Sequence, residues 1–364
     1  MKTTFFRVLD VAGDEKSSVL LSAVRALRST AHHGTSYSQM AFDLDADVLK
    51  RVPGSPFAYW LPDRIRDAFA AFSPFEEKDR VAKHGGVTLD DPRFLRLWTE
   101  PAESSLGTAF VPFAKGGPAR KFYADLPICV RWAANGSEIK AHASAVRERN
   151  GWGDQWTAVL NGYSYYLRPG LTWPLRASKF SPQVLPAGCV FSARGYCIFA
   201  PDDTLLETLG LCASTAFDYL YKIRLGRFGH PEFVVGVIED LPTPKLDPQA
   251  ALALGDAAKL GWQLRYRFES GDETSRNFIL PRSLSKSADA ASVDRALIQV
   301  QSTIDAVAFG QYRFGEAEAR HIREFLRMRT ETEAVDEEQQ ADEGGPKPAG
   351  TAARGACVRR GTLG

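Results

Sequence analysis

Cysteine is scarce in this sequence, and no two of its five cysteines form a CxxC pair among 364 residues. Cysteine-based zinc sites and small disulfide frameworks need cysteines at short paired spacings, so neither is predicted. Net charge is also nearly absent, at +1 from 45 basic and 44 acidic residues. No chain-wide field would attract nucleic acid or an acidic membrane, so any such binding must come from a local patch.

Long hydrophobic runs are missing as well. No stretch approaches the roughly 18 apolar residues that a membrane span requires. Arg7 and Asp10 interrupt the N-terminal stretch where a secretory signal would be apolar. Together with cysteines that look like reduced thiols, these features predict a cytoplasmic protein without a membrane partner.

Several catalytic and cofactor motifs are absent too. The Lys115-Gly116-Gly117 triplet has the wrong order for a phosphate-binding P-loop and lacks its hydroxyl residue. The sequence contains no HExxH or GxSxG pattern, no Pro-Pro pair, and no glycine-rich loop for S-adenosylmethionine. A bare GxG at residues 151–153 is typical of a turn rather than of a dinucleotide site. We therefore predict no catalytic, metal-binding or cofactor-binding residue in this chain.

The patterns that are present predict an α+β protein with a β-rich middle and a helical end. We expect an N-terminal lead segment at 1–75, a β-rich domain at 76–245, a helical segment at 246–330 and a disordered tail at 331–364. The tail is acidic at first and then rich in Gly, Pro and Ala, with little apolar bulk, which is typical of disorder.

Apolar spacing predicts individual elements. Helices are expected at 61–72, 204–226, 247–268, 288–309 and 315–329, and a strand at 232–244. Thr204 followed by Glu207 resembles a capping box, and Asp247 followed by Pro248 resembles the first residues of a helix.

One weak catalytic pattern is an acid followed by an ExK sequence, formed by Asp125, Glu138 and Lys140. Some nucleases hold Mg²⁺ in this order beside a lysine. The spacing is common by chance, and a solvated strand face is the simpler interpretation. A small Mg²⁺-dependent nuclease stays open as the alternative function.

Ordered segments of the chain together resemble large adenine-specific DNA methyltransferases of BREX phage-defence systems and type IIG restriction-modification enzymes. The first two segments are "HGGVTLDDPRFLRLW" at 84–98 and "KGGPARKFY" at 115–123. They are followed by "YYLRPGLTWPLR" at 165–176 and by the stretch at 205–244. The first segment departs from the family pattern at Leu89 and Asp91. The last helical segment, up to residue 329, is also similar.

The resemblance implies the C-terminal target-recognition half of such an enzyme, which docks on duplex DNA. It implies no catalysis here, because the cofactor loop and the Pro-Pro motif belong to the family's N-terminal half. We expect S-adenosylmethionine to bind to a separate methyltransferase subunit or to a missing N-terminal half. Whether the chain belongs to an enzyme is thus left open by its sequence.

Local charge identifies candidate DNA contacts within the resembling segments. Lysine and arginine neutralise phosphates and release counterions, and glycine allows the backbone to approach a phosphate closely. The predicted DNA-binding residues are Arg93, Arg96, Lys115, Gly116, Gly117, Arg120, Lys121, Arg131, Arg176 and Lys179.

Overall fold

The computed structural model describes residues 2–8, 11–28, 40–54, 56–284 and 289–327. Within these ranges the chain is α+β, as predicted. The predicted disordered tail at 331–364 lies outside the described residues.

The described strands are short. In chain order they are β1 Lys2–Phe6, β2 Ala41–Asp45, β3 Ser73–Pro74, β4 Val81–Lys83, β5 Leu95–Leu97, β6 Phe110–Ala114, β7 Ile128–Arg131, β8 Gly170–Thr172, β9 Gln183–Leu185, β10 Val190–Phe191, β11 Cys197–Phe199 and β12 Pro242–Thr243.

The helices are longest after the β-rich region. They are α1 Lys16–Arg28, α2 Asp63–Ala71, α3 Asp91–Phe94, α4 Ala133–Arg149, α5 Leu205–Ala213, α6 Thr215–Leu225, α7 Val235–Glu239, α8 Pro248–Glu269, α9 Ala290–Gln311 and α10 at 316–327.

Two four-stranded sheets form the β-rich region. One has the strand order β10-β6-β7-β5 and the other β4-β11-β8-β9. All their pairings are antiparallel except that of β10 with β6. Two further pairs, β1 with β2 and β3 with β12, are antiparallel ribbons. The β3–β12 ribbon joins segments that are about 170 positions apart in the sequence.

Glycines bring the first resembling segment against β10. The amides of Gly85 and Gly86 donate to the carbonyls of Ser192 and Phe191, both at 3.3 Å. A Cβ atom on Gly85 would lie only 2.1 Å from the carbonyl oxygen of Phe191. The backbones can approach this closely because glycine has no side chain.

The main core lies between the helices. Val293, Leu297, Val300 and Ile304 of α9 are buried in it, at the alternating spacing that predicts this helix. The same core holds buried residues from Val52 to Phe325, so all three predicted segments before residue 331 contribute to it. The division at 75 and 245 remains a prediction.

A second, smaller core belongs to the β-rich region. Phe94, Phe191 and Phe199 are buried there together with Trp132. The ring of Trp132 also packs on Gly136, where a Cβ atom would lie 2.8 Å from the ring. The β-rich region therefore has a hydrophobic cluster of its own, beside the main core that it shares with the helices.

Several local predictions are confirmed at helix termini. Asp247 caps α8, with its carboxylate accepting from the amide of Ala250 at 2.8 Å. Pro248 is the first residue of that helix, as expected. The helix predicted at 61–72 is observed as α2.

Other local predictions are wrong. The stretch 204–226 forms two helices, because Ser214 interrupts it and caps α6 through the amide of Phe217. Thr204 makes no capping hydrogen bond with its side chain, so the capping box is not formed. The predicted strand at 232–244 is interrupted by the short helix α7 at Val235–Glu239, and of this stretch only Pro242–Thr243 forms a strand, β12.

The region between 80 and 200 is mainly strands and turns, with one long exception. Residues Ala133–Arg149, which include the expected strand face, form helix α4. Its first turn has left-handed backbone at Ala134, Asn135 and Gly136. Only Gly136, Ile139 and Ala143 of this helix are buried. Its apolar pattern is therefore too sparse to identify it from periodicity.

Candidate nucleic-acid interface

The loop that follows β6 begins with a glycine pair, of which Gly116 is half-buried and Gly117 is exposed. Gly116 and Gly117 have φ values of 82° and 151°, in the region that favours glycine. Within the described ranges, neither amide donates a hydrogen bond to another protein group. Two backbone donors at the protein surface are thus available to a bound anion such as a phosphate.

Lys115 anchors this end of the loop to the first resembling segment. Its ammonium pairs with the carboxylate of Asp91, which also accepts from the hydroxyl of Thr88. Partial burial acts to raise the pKa of Asp91, but the hydrogen bonds from Lys115 and Thr88 hold that pKa below its usual value. The carboxylate of Asp91 stays ionised, and its negative charge is paired with the ammonium of Lys115.

A cleft of about 700 Å³ opens beside this ion pair. Its walls come from the segment 86–92, from Phe113 and Lys115, and from the turn 192–194. Leu89, where the family pattern has glycine, has a left-handed backbone with a φ of 58°. The two resembling segments therefore meet at one surface, although they are separated in sequence.

The other end of the same loop is fixed to the helices. Arg120 pairs with Glu269 at the end of α8, and that glutamate is almost fully buried. Lys121 donates to the carbonyl of Ala213 at 2.6 Å and to Oε1 of Gln301 at 2.8 Å. This end is a structural junction between α5, α8 and α9.

A larger cavity of about 860 Å³ lies at this junction, and we call it the basic cavity. Three of the predicted DNA-binding residues line it, namely Arg120, Lys121 and Lys179. Six basic residues line it in all against two acidic ones: Arg120, Lys121, Lys179, Arg265, Arg323 and Arg327, with Asp218 and Asp294. This is the local excess of positive charge that the overall composition does not show.

Lys121 is the most perturbed base of the cavity. Burial lowers its pKa to about 8, and the carboxylates of Asp305 and Asp218 oppose that shift. Asp305 already accepts from the amide and the hydroxyl of Thr215, both at 2.7 Å. The charge on Lys121 is therefore only partly compensated within the protein.

Beside Lys121 lies a buried ion pair. Nζ of Lys222 and Oδ2 of Asp218 are 3.0 Å apart, with both side chains at least 96% buried. Asp218 also accepts from the amide of Phe180 at 2.9 Å, and Lys222 donates to the carbonyl of Ser178 at 2.7 Å. This pair holds the 178–180 loop, and thereby Lys179, at the mouth of the cavity.

The remaining predicted contacts lie away from the cavity. Arg93 and Arg131 both pair with Glu138 of α4, at 2.9 and 3.2 Å. Arg176 pairs with Glu232, with its Nε 2.8 Å from the carboxylate. Nη1 of Arg96 donates to the carbonyls of Pro92 and Leu95. The structure thus brings together three of the ten predicted residues at one cavity, and DNA contact by each remains a prediction.

Sequence reasoning missed three of the cavity's basic residues as site residues. Arg265 comes from α8, and Arg323 and Arg327 from α10. For the last two, the available signal was the row of arginines along one side of the helix predicted at 315–329, which also includes Arg320. For Arg265 the sequence offers no comparable signal, because α8 is not strongly basic.

The nuclease alternative finds no support in the geometry. Glu138 is engaged by two arginines, and Asp125 accepts from the amide of Arg276 at 3.0 Å. Lys140 lies over the Trp156 ring, 4.7 Å from its centroid. Nowhere in the described ranges do three His, Cys, Asp or Glu residues gather as metal ligands.

Comparisons with known proteins agree with the resemblance. The chain is 22% identical over 289 residues to the adenine-specific methyltransferase BrxX of Escherichia coli O9:H4 (strain HS), and the match covers 77% of the chain. It is 25% identical over 213 residues to the adenine-specific methyltransferase PglX of Lacticaseibacillus casei (strain Zhang), and that match covers 54% of the chain. The chain is thus weakly similar in sequence to a part of these two adenine-specific methyltransferases.

The chain spans only about a fifth of each relative, 21% of BrxX and 17% of PglX. No family model matches the sequence. A similarity to the solved structure of the type IIL restriction-modification enzyme MmeI in complex with DNA covers 72% of this chain and 36% of that one, with 13% identity and a TM-score of 0.46. None of the described helices is long and apolar enough to cross a membrane.

Among the described residues, no glycine-rich loop of the kind that could hold S-adenosylmethionine lies between a parallel strand and a helix. A glycine-rich cofactor loop usually follows a strand of a parallel sheet and leads into a helix. Among the described strands the one parallel pair is β6 with β10, and β6 leads into the Lys115 loop rather than into a helix. No step of methyl transfer is therefore assigned to residues of this chain.

Proposed function

We propose that this chain is a DNA-recognition module for adenine-N6 methylation in a phage-defence or restriction-modification system. In this proposal the catalytic half, with its S-adenosylmethionine, is supplied by a separate methyltransferase subunit or by a further part of a longer protein. The chain itself binds duplex DNA and transfers no methyl group.

The convergence of basic residues on one cavity carries the proposal. Arg120, Lys121 and Lys179 come from the β-rich region, whereas Arg265 and Arg323 come from the C-terminal helices. Folding thus builds a positive surface out of segments far apart in a nearly neutral chain. Contacts between such residues and phosphates provide affinity that depends strongly on salt.

The glycine pair offers a second mode of contact. The two amides at Gly116 and Gly117 can donate to a phosphate without a side chain between them and the DNA. Because the loop 115–121 links this pair to Arg120 and Lys121, one backbone segment could follow the phosphates from the cleft to the cavity. Homology to adenine-specific methyltransferases supplies the methylation context for this binding.

Lys179 is the best residue for the decisive test. It is exposed, it lines the cavity, and the structure shows no ion pair to it within the described ranges, so Lys179→Gln should not destabilise the fold. Lys121 and Arg120 are less suitable, because their polar partners Gln301 and Glu269 would be left without them.

We expect Lys179→Gln to weaken binding to duplexes of unrelated sequence equally, and to reduce the slope of log affinity against log salt by about 1. Fluorescence polarisation over a salt series measures both quantities. Lys245→Gln, which removes an exposed lysine away from the cavity, is the matched control and should leave both unchanged. Absence of duplex binding at low salt would refute the proposed function.

A further inference from the structure

One wall of the basic cavity carries a lysine amine whose hydrogen-bond partners are neutral. Nζ of Lys121 donates to the carbonyl of Ala213 at 2.6 Å and to Oε1 of Gln301 at 2.8 Å. An ammonium has three N–H donors, whereas a neutral amine has two N–H donors and a lone pair. The two acceptors therefore match the neutral amine, and its lone pair is left without a protein partner within the described ranges.

The two acceptors are themselves held in place. Nε2 of Gln301 donates to Oδ1 of Asp305 at 3.0 Å and to the carbonyl of Ala213 at 3.1 Å. Because the NH₂ group of Gln301 is used in this way, its oxygen faces Lys121. Asp305 in turn accepts from the amide and the hydroxyl of Thr215, both at 2.7 Å. The amine of Lys121 is thus positioned by α9 and by the last residue of α5.

We propose that Lys121 is a nucleophile that forms an imine with an aldehyde bearing a phosphate group. The lone pair of Nζ attacks the aldehyde carbon, a C=N bond replaces the C=O bond, and the oxygen leaves as water with the two amine hydrogens. The step consumes no oxidant or reductant. Burial favours the unprotonated amine that the attack needs, since it lowers the pKa of Lys121 to about 8.

The charges near the amine suit a phosphate-bearing substrate. The charged groups with the largest effect on its proton are two acids and two bases: Asp305, Asp218, Lys179 and Lys222. Lys179 is exposed and has no ion pair within the described ranges. Arg265 and Arg323 line the same cavity and reach carboxylates only at 3.7 Å. These cations can attract a phosphate into a cavity of about 860 Å³, which has room for a sugar phosphate.

Two sources could supply such an aldehyde. One is a free sugar phosphate in its open-chain form, and the other is the deoxyribose that remains at an abasic site of DNA. The DNA source rests on the proposed function, because it requires a duplex at the cavity. The free source does not, so the two can be tested separately.

The first test treats the intact chain with pyridoxal 5′-phosphate near neutral pH. Borohydride reduces the imine to a stable amine, which peptide mass spectrometry locates. Lys121 should be labelled at least about ten-fold more than the exposed Lys245, because a lysine with a pKa of about 8 is unprotonated far more often than one near 10.5. Pyridoxal, which lacks the phosphate, should give a smaller ratio of Lys121 to Lys245 labelling.

Two results of this test would overturn the proposal. One is labelling of the exposed Lys179 and Lys245 while Lys121 stays unmodified. The other is the same ratio of Lys121 to Lys245 labelling with both aldehydes, which would show that the cavity does not recognise the phosphate. Both are read from the unaltered chain, so neither depends on whether a variant folds.

The second test uses a duplex with one abasic site and a matched duplex whose abasic analogue has no aldehyde. With borohydride, only the first should become linked to the chain, through the peptide that contains Lys121. Lys121→Arg should remove the link, and Lys179→Gln should retain it at saturating duplex. Binding of the abasic duplex with no link at Lys121 would overturn the DNA source. If pyridoxal 5′-phosphate labels Lys121 while no duplex binds, the proposed function fails and the lysine remains a site for small aldehydes.

Discussion

The bases of the β-rich surface and those of the basic cavity are neutralised to different degrees. On the β-rich surface Arg93 and Arg131 share Glu138, and Arg176 has Glu232. At the cavity Lys179 has no ion pair within the described ranges, and Lys121 is bonded to the neutral Gln301. Arg120 pairs with Glu269, whereas Arg265 and Arg323 reach a carboxylate only at 3.7 Å. A cluster of lysines and arginines in the sequence therefore does not show how much positive charge is free to attract a phosphate. That free charge depends on which acidic residues the fold places beside each lysine or arginine.

The largest expected loss of stability follows from removing the carboxylate of Asp218, which is buried beside the cavity. Asp218→Ala would leave the buried ammonium of Lys222 and the amide of Phe180 without their acceptor. Removing one partner of a buried ion pair usually costs about 3–5 kcal/mol. We expect a loss of that size in the free energy of unfolding, measured by urea denaturation. A loss below about 1 kcal/mol would show that the pair does not support the cavity wall.

The pH dependence of Lys121 gives an intermediate effect. Its pKa is about 8 in the folded chain and near the ordinary 10.5 in the unfolded chain. Between these values the unfolded chain holds a proton that the folded chain has released, so the free energy of unfolding rises with pH through this window. The expected rise in the free energy of unfolding across this window is about 3 kcal/mol, at about 1.4 kcal/mol for each unit by which the two pKa values differ.

The variant Lys121→Met isolates this contribution. As the pH rises from 8 to 10.5, the free energy of unfolding of the original chain should increase relative to that of the variant. Buried tyrosines such as Tyr219 and Tyr312, whose pKa values burial raises, titrate in both chains and cancel in the difference. A difference that stays constant with pH would contradict the low pKa of Lys121.

The smallest expected effect on stability lies at Glu138. Its pairs with Arg93 and Arg131 are partly exposed, so Glu138→Gln should change the free energy of unfolding by no more than about 1 kcal/mol. If these arginines contact phosphates, releasing them should tighten duplex binding, measured by polarisation at low salt. Unchanged affinity would remove both from the interface and confine it to the loop 115–121 and the cavity.

Helices with a regular apolar seam were predictable from the sequence. Val293, Leu297, Val300 and Ile304 recur at steps of four and three, and all face the main core. Asp247 and Pro248 mark a helix start because capping depends only on neighbouring residues. In contrast, α4 was not predicted, since its left-handed first turn is stabilised by the packing of Gly136 on Trp132.

Much less of the candidate site could be predicted. The sequence alone determined the α+β class, the long C-terminal helices, the homology to adenine-specific methyltransferases and the identity of the bases near residue 120. The tertiary structure decided which bases share a cavity and which are neutralised by acids far away in sequence. Local propensity acts over a few residues, whereas pairs such as Arg120 with Glu269 and Lys121 with Gln301 join residues about 150 to 180 positions apart. Charge at a surface depends on such pairs, so only folding could determine it.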